Sequence, residues 1–333
     1  MKSSSLTPPS GSPDPHREAG RPGTHGAVQD ATPVCAVVLV AWNNRSYLMP
    51  CLQSLFTSGM RNAIEVVVVD NGSTDGTQDV LRQEFPEVVL VQNDSNLGLG
   101  TASNQGIAAT TAPFVLLLNN DTIVNGASLD RLIDFMSATP DAGAVGGTLL
   151  NADGTFQSGY NHFPTLVEEF LNVTGLGAAL WPGYPSSPGA VNDPSAVDWI
   201  TSACLLLRRS ALDHVGLLNE SYFIYGDETD LQYRLAREGW RVYLIPDATT
   251  IHFGGRSLDR WRRRRLVYRG KMLFYRNHYG AIRTAALRAV IGAVTAGKVA
   301  VWGLVWPVPT LRIRASRELS SNAEVLRLCW KLE

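Results

Sequence analysis

Short apolar runs alternate with segments of helical spacing through the first 150 residues. Residues 34–41 are a β-branched apolar run, broken by Trp42-Asn43-Asn44-Arg45. Leu48, Leu52, Leu55 and Phe56 then fall on one face of a helix. A second run, 64–69, ends in Asp70-Asn71-Gly72-Ser73-Thr74-Asp75-Gly76, ahead of a helix near residues 75–84. The third, 88–91, leads through a Gly- and Asn-rich loop over 93–100 into a small-residue helix over 102–109. The fourth, Phe114-Val115-Leu116-Leu117-Leu118, has no polar position and stops abruptly at Asn119-Asn120-Asp121; a helix over 128–138 and a strand over 144–150 follow. Strands that are apolar on both faces sit inside a parallel sheet covered by helices. The repeated strand–helix order predicts an α/β fold with right-handed crossovers.

The pattern then changes. Residues 151–196 are rich in Gly, Pro and aromatics, with Asp153-Gly154 as a hairpin signal; long connections of this kind inside compact domains are usually lids or binding loops. Strand-like order resumes over 197–207. Tyr222-Phe223-Ile224-Tyr225 precede Gly226-Asp227-Glu228-Thr229-Asp230, which opens a helix continued by Leu231 and Leu235. A strand over 241–245 leads to His252 and the pair Gly254-Gly255, where close backbone approach is expected. Residues 281–311 are hydrophobic, with Lys298 the only charge between Ala289 and Leu311.

Composition narrows the class. The chain is 45% hydrophobic and 18% charged over 333 residues, enough for a sizeable globular core. Its net charge of -1 gives no global field for nucleic acid, although residues 256–276 concentrate eight Arg and Lys271 against Asp259 alone. The four cysteines form no CxxC pair and no disulfide framework, which favours a reducing compartment, the cytoplasm. Residues 1–33 hold six Pro, four Gly and five Ser with almost no large apolar side chains, so disorder is expected there, and no secretory signal is expected.

Candidate chemistry collects at strand ends. Asp121, with Asn119 and Asn120, lies past the carboxyl end of an interior strand, where open α/β sheets bind ligands. The same residues also suit a polar turn, but a carboxylate there can carry a hard divalent cation onto substrate phosphate. Asp70 either hydrogen-bonds a nucleoside or caps its own turn. Asp227 and Asp230 share a helix face while Glu228 points about a hundred degrees away; these acids either complement the helix dipole or answer a ligand. His252 is either a core histidine or a ligand. Neither GxGxxG nor GxxxxGK[ST] occurs where a phosphate loop would need it.

Four blocks in order resemble the family 2 inverting glycosyltransferases of the GT-A fold, in their rhamnosyltransferase-like branch: residues 37–43, Val69-Asp70-Asn71-Gly72-Ser73-Thr74-Asp75, Leu118-Asn119-Asn120-Asp121, and the stretch from Trp199 to His252. The resemblance implies a mainly parallel, Rossmann-like sheet flanked by helices over residues 34–255, followed by a basic and hydrophobic helical extension over 256–333. It places Asp70 on the base. Mg²⁺ or Mn²⁺ falls to Asp121, His252 and Asn119, with Asn119 where the family more often has an acid. The family's Glu-Asp-x-Asp acceptor motif becomes Asp227-Glu228-x-Asp230, with Glu228 the expected base, Asp227 the alternative, and Asp230 orienting the base or binding acceptor. Asn43, Asn71, Asn96, Asn104, Asn120 and Trp199 are the further substrate-binding candidates.

The reaction so implied moves a sugar from a nucleoside diphosphate (dTDP or UDP type) to a hydroxyl of a glycan or polyprenyl-linked acceptor in cell-wall or polysaccharide synthesis. The basic block and the hydrophobic segment are expected to hold the chain peripherally at the inner face of the membrane, the alternatives for residues 281–311 being a membrane span or a solvated or core-packing helix pair. The competing readings are a sugar nucleotidyltransferase, which would carry Gly-x-Gly-x-Arg where Ala41-Trp42-Asn43-Asn44-Arg45 stands, and a non-catalytic nucleotide-sugar-binding module.

Overall fold

The computed structural model describes residues 32–180, 192–254 and 260–330. The tail expected to be disordered therefore lies, for residues 1–31, outside the described residues, as do Gly255, Arg256 and Asp259.

The apolar runs become strands where the pattern places them. In order these are β1 (Cys35–Ala41), α1 (Arg45–Phe56), β2 (Ile64–Asp70), α2 (Thr77–Glu84), β3 (Val89–Gln92), α3 (Leu99–Ala108) and β4 (Phe114–Asn119). They build the parallel half of the sheet in the order β3-β2-β1-β4, with Val37 opposite Val66 on one side and Leu116 on the other. Successive residues of β4 point to opposite faces. Leu116 joins Leu39, Leu48, Leu52 and Met136 beneath α1, whereas Leu117 joins Val38, Ile107, Leu231 and Leu235 on the far face.

The second half departs from the all-parallel repeat. After β5 (Thr122–Val124), α4 (Gly126–Ala138) and β6 (Ala142–Leu150), the chain leaves the main sheet through β7 (Phe156–Gln157), β8 (Tyr160–Asn161), α5 (Leu166–Thr174) and α6 (Leu176–Leu180). It returns as β9 (Ser195–Val197), β10 (Trp199–Ile200) and β11 (Cys204–Arg208). The single stretch expected over 197–207 is thus three strands in two sheets, because β10 pairs with β8 instead. Strand β11 fills the slot between β4 and β6 antiparallel to both, with Leu206 opposite Leu116 and Val145. An apolar run reports burial on both faces but not strand direction. The sheet is therefore mixed: β3-β2-β1-β4 and β6-β12 pair parallel, and the antiparallel β11 joins the two parallel groups.

After α7 (Arg209–Val215) and α8 (Asp227–Arg237), β12 (Arg241–His252) runs well past the expected residue 245. A register shift between Ile245 and Thr249 accommodates Pro246. Beyond it the strand pairs with β5, setting His252 opposite Thr122, the neighbour of Asp121.

The extension is three helices, α9 (Arg260–His278), α10 (Gly280–Val305) and α11 (Arg312–Trp330). Met272, Phe274, Tyr275, Leu287, Ile291 and Val325 form its own core together with Val173 of α5. Helix α9 lies tightly on the bend before α8, since a Cβ on Gly270 would stand 2.2 Å from the Tyr225 carbonyl oxygen. That bend needs unusual backbone, with Tyr225 at φ +67 and Gly226 at φ +100.

Candidate active site

The carboxyl ends of β1, β2 and β4 open on a cavity of about 220 Å³. Trp42, Asn71, Asn96, Asn119, Asn120 and Asp121 line the sheet side. Across from them stand Phe223, Tyr225, Glu228, Arg262 and Arg263, while His252 at the end of β12 stands beside Asp121. Residues more than a hundred positions apart meet here because strand ends, not sequence neighbours, define the rim.

One corner has the makings of a cation site. Asp121 Oδ1 and His252 Nε2 are 3.3 Å apart in the cavity wall. His252 Nδ1 is 2.6 Å from Gln157 Oε1, and Asn119 Nδ2 is 3.2 Å from Nε2. The network assigns the proton to Nδ1, donating to Gln157, and leaves Nε2 to accept from Asn119 Nδ2 beside Asp121; a cation taking that lone pair would meet a histidine whose outer partner is already in place. Beneath them Cys51 Sγ contacts Thr122 Oγ1 at 3.4 Å, and burial pushes its thiol up to about 12, so it takes no part as a thiolate. Among the described residues no third His, Cys, Asp or Glu completes a protein-only site. One carboxylate and one imidazole fit a divalent cation whose remaining positions are filled by substrate oxygens and water.

The opposite edge of the cavity is built from side-chain amides. Asn71 donates to Asn96 Oδ1 (3.1 Å) and the Gly98 carbonyl (3.2 Å), and accepts from Asn93 Nδ2 (3.1 Å) and Leu97 N (3.0 Å). Asn71 and Asn96 thereby fix the 93–98 loop at the cavity edge. Asn120 is similarly held, donating to the Val40 carbonyl and accepting from Asn44. Asp70 is fully buried and is not part of the cavity wall. Its Oδ2 accepts from Ser73 N and Gln78 Nε2, whereas Oδ1 has no partner. A buried carboxylate oxygen without a donor is costly unless a ligand supplies one.

Not every expected site residue arrives at this cavity. Asn43 closes the β1 loop onto the β2 loop, accepting from Thr74 N at 2.7 Å. Asn104 pins the segment after α7, donating to the Leu218 carbonyl and Glu220 and accepting from Leu218 N. Trp199 lines a second cavity of about 190 Å³ and donates to the His162 carbonyl.

That second cavity lies between the 160–172 region and α9. Its walls include His162, Glu169, Trp199, Lys271 and Phe274, with Lys271 Nζ 2.5 Å from the buried Glu169 carboxylate. Glu228 and Tyr225 line both cavities. The Glu228 carboxylate accepts from Gly226 N at 3.1 Å and meets the Asp227 carboxyl.

The other two acids of the motif behave differently. Asp227 points into a small recess with Ser103, Asn119 and Ser202, and its Oδ1 has no partner. Burial pushes its carboxyl well above the usual carboxylate range, and the Glu228 carboxylate pushes it the same way. Asp230 lines neither cavity. Burial opposes its ionisation, but the hydrogen bond from His278 Nε2 (2.7 Å) and the Arg234 guanidinium (2.9 Å) outweigh it and hold the carboxyl below its ordinary value. It ties α8 to α9.

Five residues that the chain did not mark as site residues belong to it. Gln157 sits in a loop-like stretch and is identified only by its hydrogen bonds to His252 and Asn151. Thr201 and Ser202 enter the cavity wall through the break between β10 and β11. Arg262 and Arg263 belong to the basic block read as membrane-facing, yet both line the cleft, Arg263 over the Tyr225 ring at 5.7 Å.

Comparison with known proteins agrees with this geometry. Residues 36–216 match the family described as Glycosyl transferase family 2. An N-acetylglucosaminyl-diphospho-decaprenol L-rhamnosyltransferase of Mycobacterium tuberculosis is 34% identical over 248 residues, 69% of this chain and 79% of that protein. The O-antigen biosynthesis protein RfbC of Myxococcus xanthus is 28% identical over 229 residues, 66% of this chain and 17% of its own length. In fold, the mannosyltransferase PcManGT from Pyrobaculum calidifontis, solved with GDP-Man and Mn²⁺, superposes with a TM-score of 0.55 at 15% identity, covering 91% of this chain and 89% of that one. Strand ends, carboxylate helix and sequence match converge: the chain belongs to glycosyl transferase family 2 and is a GT-A glycosyltransferase.

Proposed function

We propose that the chain transfers a sugar, with rhamnose the favoured one, from a dTDP- or UDP-type donor to a hydroxyl of a lipid-linked glycan acceptor, with inversion, in cell-wall or polysaccharide synthesis. Support for the sugar and acceptor class comes from the 34% identical relative, named for rhamnosyl transfer to N-acetylglucosaminyl-diphospho-decaprenol. The observation that carries the mechanism is Glu228, common to two cavities. The first cavity takes the donor, its nucleoside toward Asn71 and Asp70 and its diphosphate toward Asp121 and His252. The second takes the acceptor, against Trp199 and Lys271.

Glu228 accepts the acceptor hydroxyl proton as that oxygen bonds to the anomeric carbon and the bond to the diphosphate oxygen breaks on the opposite face. A single displacement inverts the centre and leaves no sugar on the protein. Asp121 and His252 would hold Mg²⁺ or Mn²⁺, which when bound supplies positive charge to the leaving diphosphate. Arg262 and Arg263 add charge at the same rim. A lipid-linked acceptor further implies work at the cytoplasmic face of a membrane.

Glu228→Gln should lower kcat by about 10²- to 10⁴-fold with donor KM little changed, because a base acts mainly in the transition state. Asp227→Asn should lose far less. If Glu228→Gln kept near wild-type turnover and Asp227→Asn lost it, the two roles would be exchanged.

A further inference from the structure

Helices α10 and α11 meet at a turn with no core beneath it. Trp306-Pro307-Val308-Pro309-Thr310-Leu311-Arg312-Ile313-Arg314 are nine consecutive exposed residues. Leu304, just before them, is 82% exposed and Ile313 74%. Single exposed leucines need no explanation, but a contiguous apolar cluster marks a contact surface.

The charge around the cluster has one sign. No Asp or Glu occurs from Gly280 to Arg317, while Arg312, Arg314 and Arg317 follow the turn. Arg312 lies over the Trp306 ring at 4.5 Å and Arg314 over Trp302 at 5.6 Å. Neither Arg312 nor Arg314 has a carboxylate partner among the described residues. Two arginines of α9 are committed differently, Arg264 to Glu318 and Arg265 to Glu324, and Arg262 and Arg263 line the cleft. Tryptophan with unpaired arginine beside bare aliphatic side chains matches a lipid interface, where rings lie at headgroup depth and cations meet phosphates.

Helix α10 is, by length and composition, long and apolar enough to cross a membrane. Its geometry favours a different use. Thr284, Leu287, Ile291 and Thr295 repeat at helical spacing and are buried in the extension's core, and Lys298 Nζ donates to the Val173 carbonyl of α5 at 2.6 Å. The bare end of the helix is what remains.

We infer that the turn between α10 and α11 docks into the headgroup layer of an anionic lipid bilayer, with Leu304, Trp306, Leu311 and Ile313 entering its apolar edge and Arg312 and Arg314 meeting lipid phosphates. This rests on the membrane-surface reading above and assigns the contact to one turn in place of the basic block of α9. The apolar tip supplies depth and the arginines supply preference for negative charge.

The test uses the full chain and vesicles of phosphatidylcholine with or without phosphatidylglycerol. Wild type should co-sediment with the anionic vesicles, and Leu304→Ser with Ile313→Ser should lower the partition coefficient about tenfold or more. Arg312→Gln with Arg314→Gln should abolish the preference for phosphatidylglycerol. The native cysteines are all buried, so an environment-sensitive dye on Ile313→Cys reports the turn selectively. It should shift to the blue on vesicle addition, whereas the dye on Val89→Cys, at the far edge of the sheet, should not. If wild type ignored both vesicles, the membrane reading and this surface would fall together. If wild type bound and the turn variants bound equally, the surface alone would be overturned. Conversion of a dimer to a monomer by the turn variants would assign the cluster to a second copy of the chain and overturn the lipid assignment.

Discussion

His252 Nδ1 donates to Gln157 Oε1 over 2.6 Å, which turns Nε2 toward Asp121 at 3.3 Å. The glutamine thus sets which ring nitrogen carries the proton. Removing such an outer partner typically lowers metal affinity about 10- to 100-fold. Gln157→Ala should do so in calorimetric titrations of Mn²⁺ with nucleoside diphosphate, and Asp121→Ala should abolish metal-dependent nucleotide affinity altogether. Wild-type nucleotide affinity that is the same with and without chelator would remove the cation from this corner.

Asp70 offers one buried oxygen with no donor. A base N–H reaching it would satisfy it, and its loss should weaken nucleotide binding by about 1–3 kcal/mol. Asp70→Ala tests this by equilibrium titration with the nucleoside diphosphate. An unchanged dissociation constant would leave Asp70 as a support for the Ser73 turn alone.

Asp227 is buried and its carboxyl is pushed upward, first by desolvation and then by Glu228. The folded state therefore binds a proton more tightly than the unfolded chain. Below the ordinary Asp value of about 4 the group is neutral in both states; above it, stability falls with pH until the raised folded value is passed. Asp227→Asn should remove this slope. Melting curves should show the variant gaining on wild type as pH rises from 5 to 8, and parallel curves would refute the assignment.

Asp230 has the opposite sign. Its carboxyl is held below the ordinary value against burial by His278 and Arg234, so the stabilisation is present above about pH 4 and is lost as pH falls through the depressed value. Asp230→Ala leaves the half-buried His278 Nε2 without its partner, while Arg234 keeps the Val215, Gly216 and Leu217 carbonyls, and should cost about 1–3 kcal/mol in denaturant unfolding. A loss of turnover at unchanged stability would instead put Asp230 in contact with substrate.

Much of this was legible in the chain, for reasons that differ by residue. The runs that became β1, β2 and β4 are apolar on both faces, so their period and their termination at Asp70 and Asp121 were visible before folding. The carboxylates of α8 were equally plain, but their division of labour was not. Asp227 turns into a recess beside Ser103, Glu228 faces the cavities, and Asp230 meets His278, a partner 48 positions away. Such roles depend on tertiary neighbours that local spacing does not encode. Asn104 and Asn43 read as ligand amides because a buried staple and a ligand contact use the same side chain. Strand β11 hid its direction for a similar reason: Cys204-Leu205-Leu206-Leu207 is apolar whichever way it runs.

That reversed strand governs when the sheet can close. Without β11, β4 and β6 would each present unpaired backbone donors and acceptors along an interior edge. Open edges of this kind accept any passing strand, and long sequence separation slows the arrival of the right one. The slot between them is filled by Cys204–Arg208, so the two parallel groups become one sheet only through a strand that follows both β4 and β6 in the chain. The family match ends at residue 216, just beyond the strand that seals the slot.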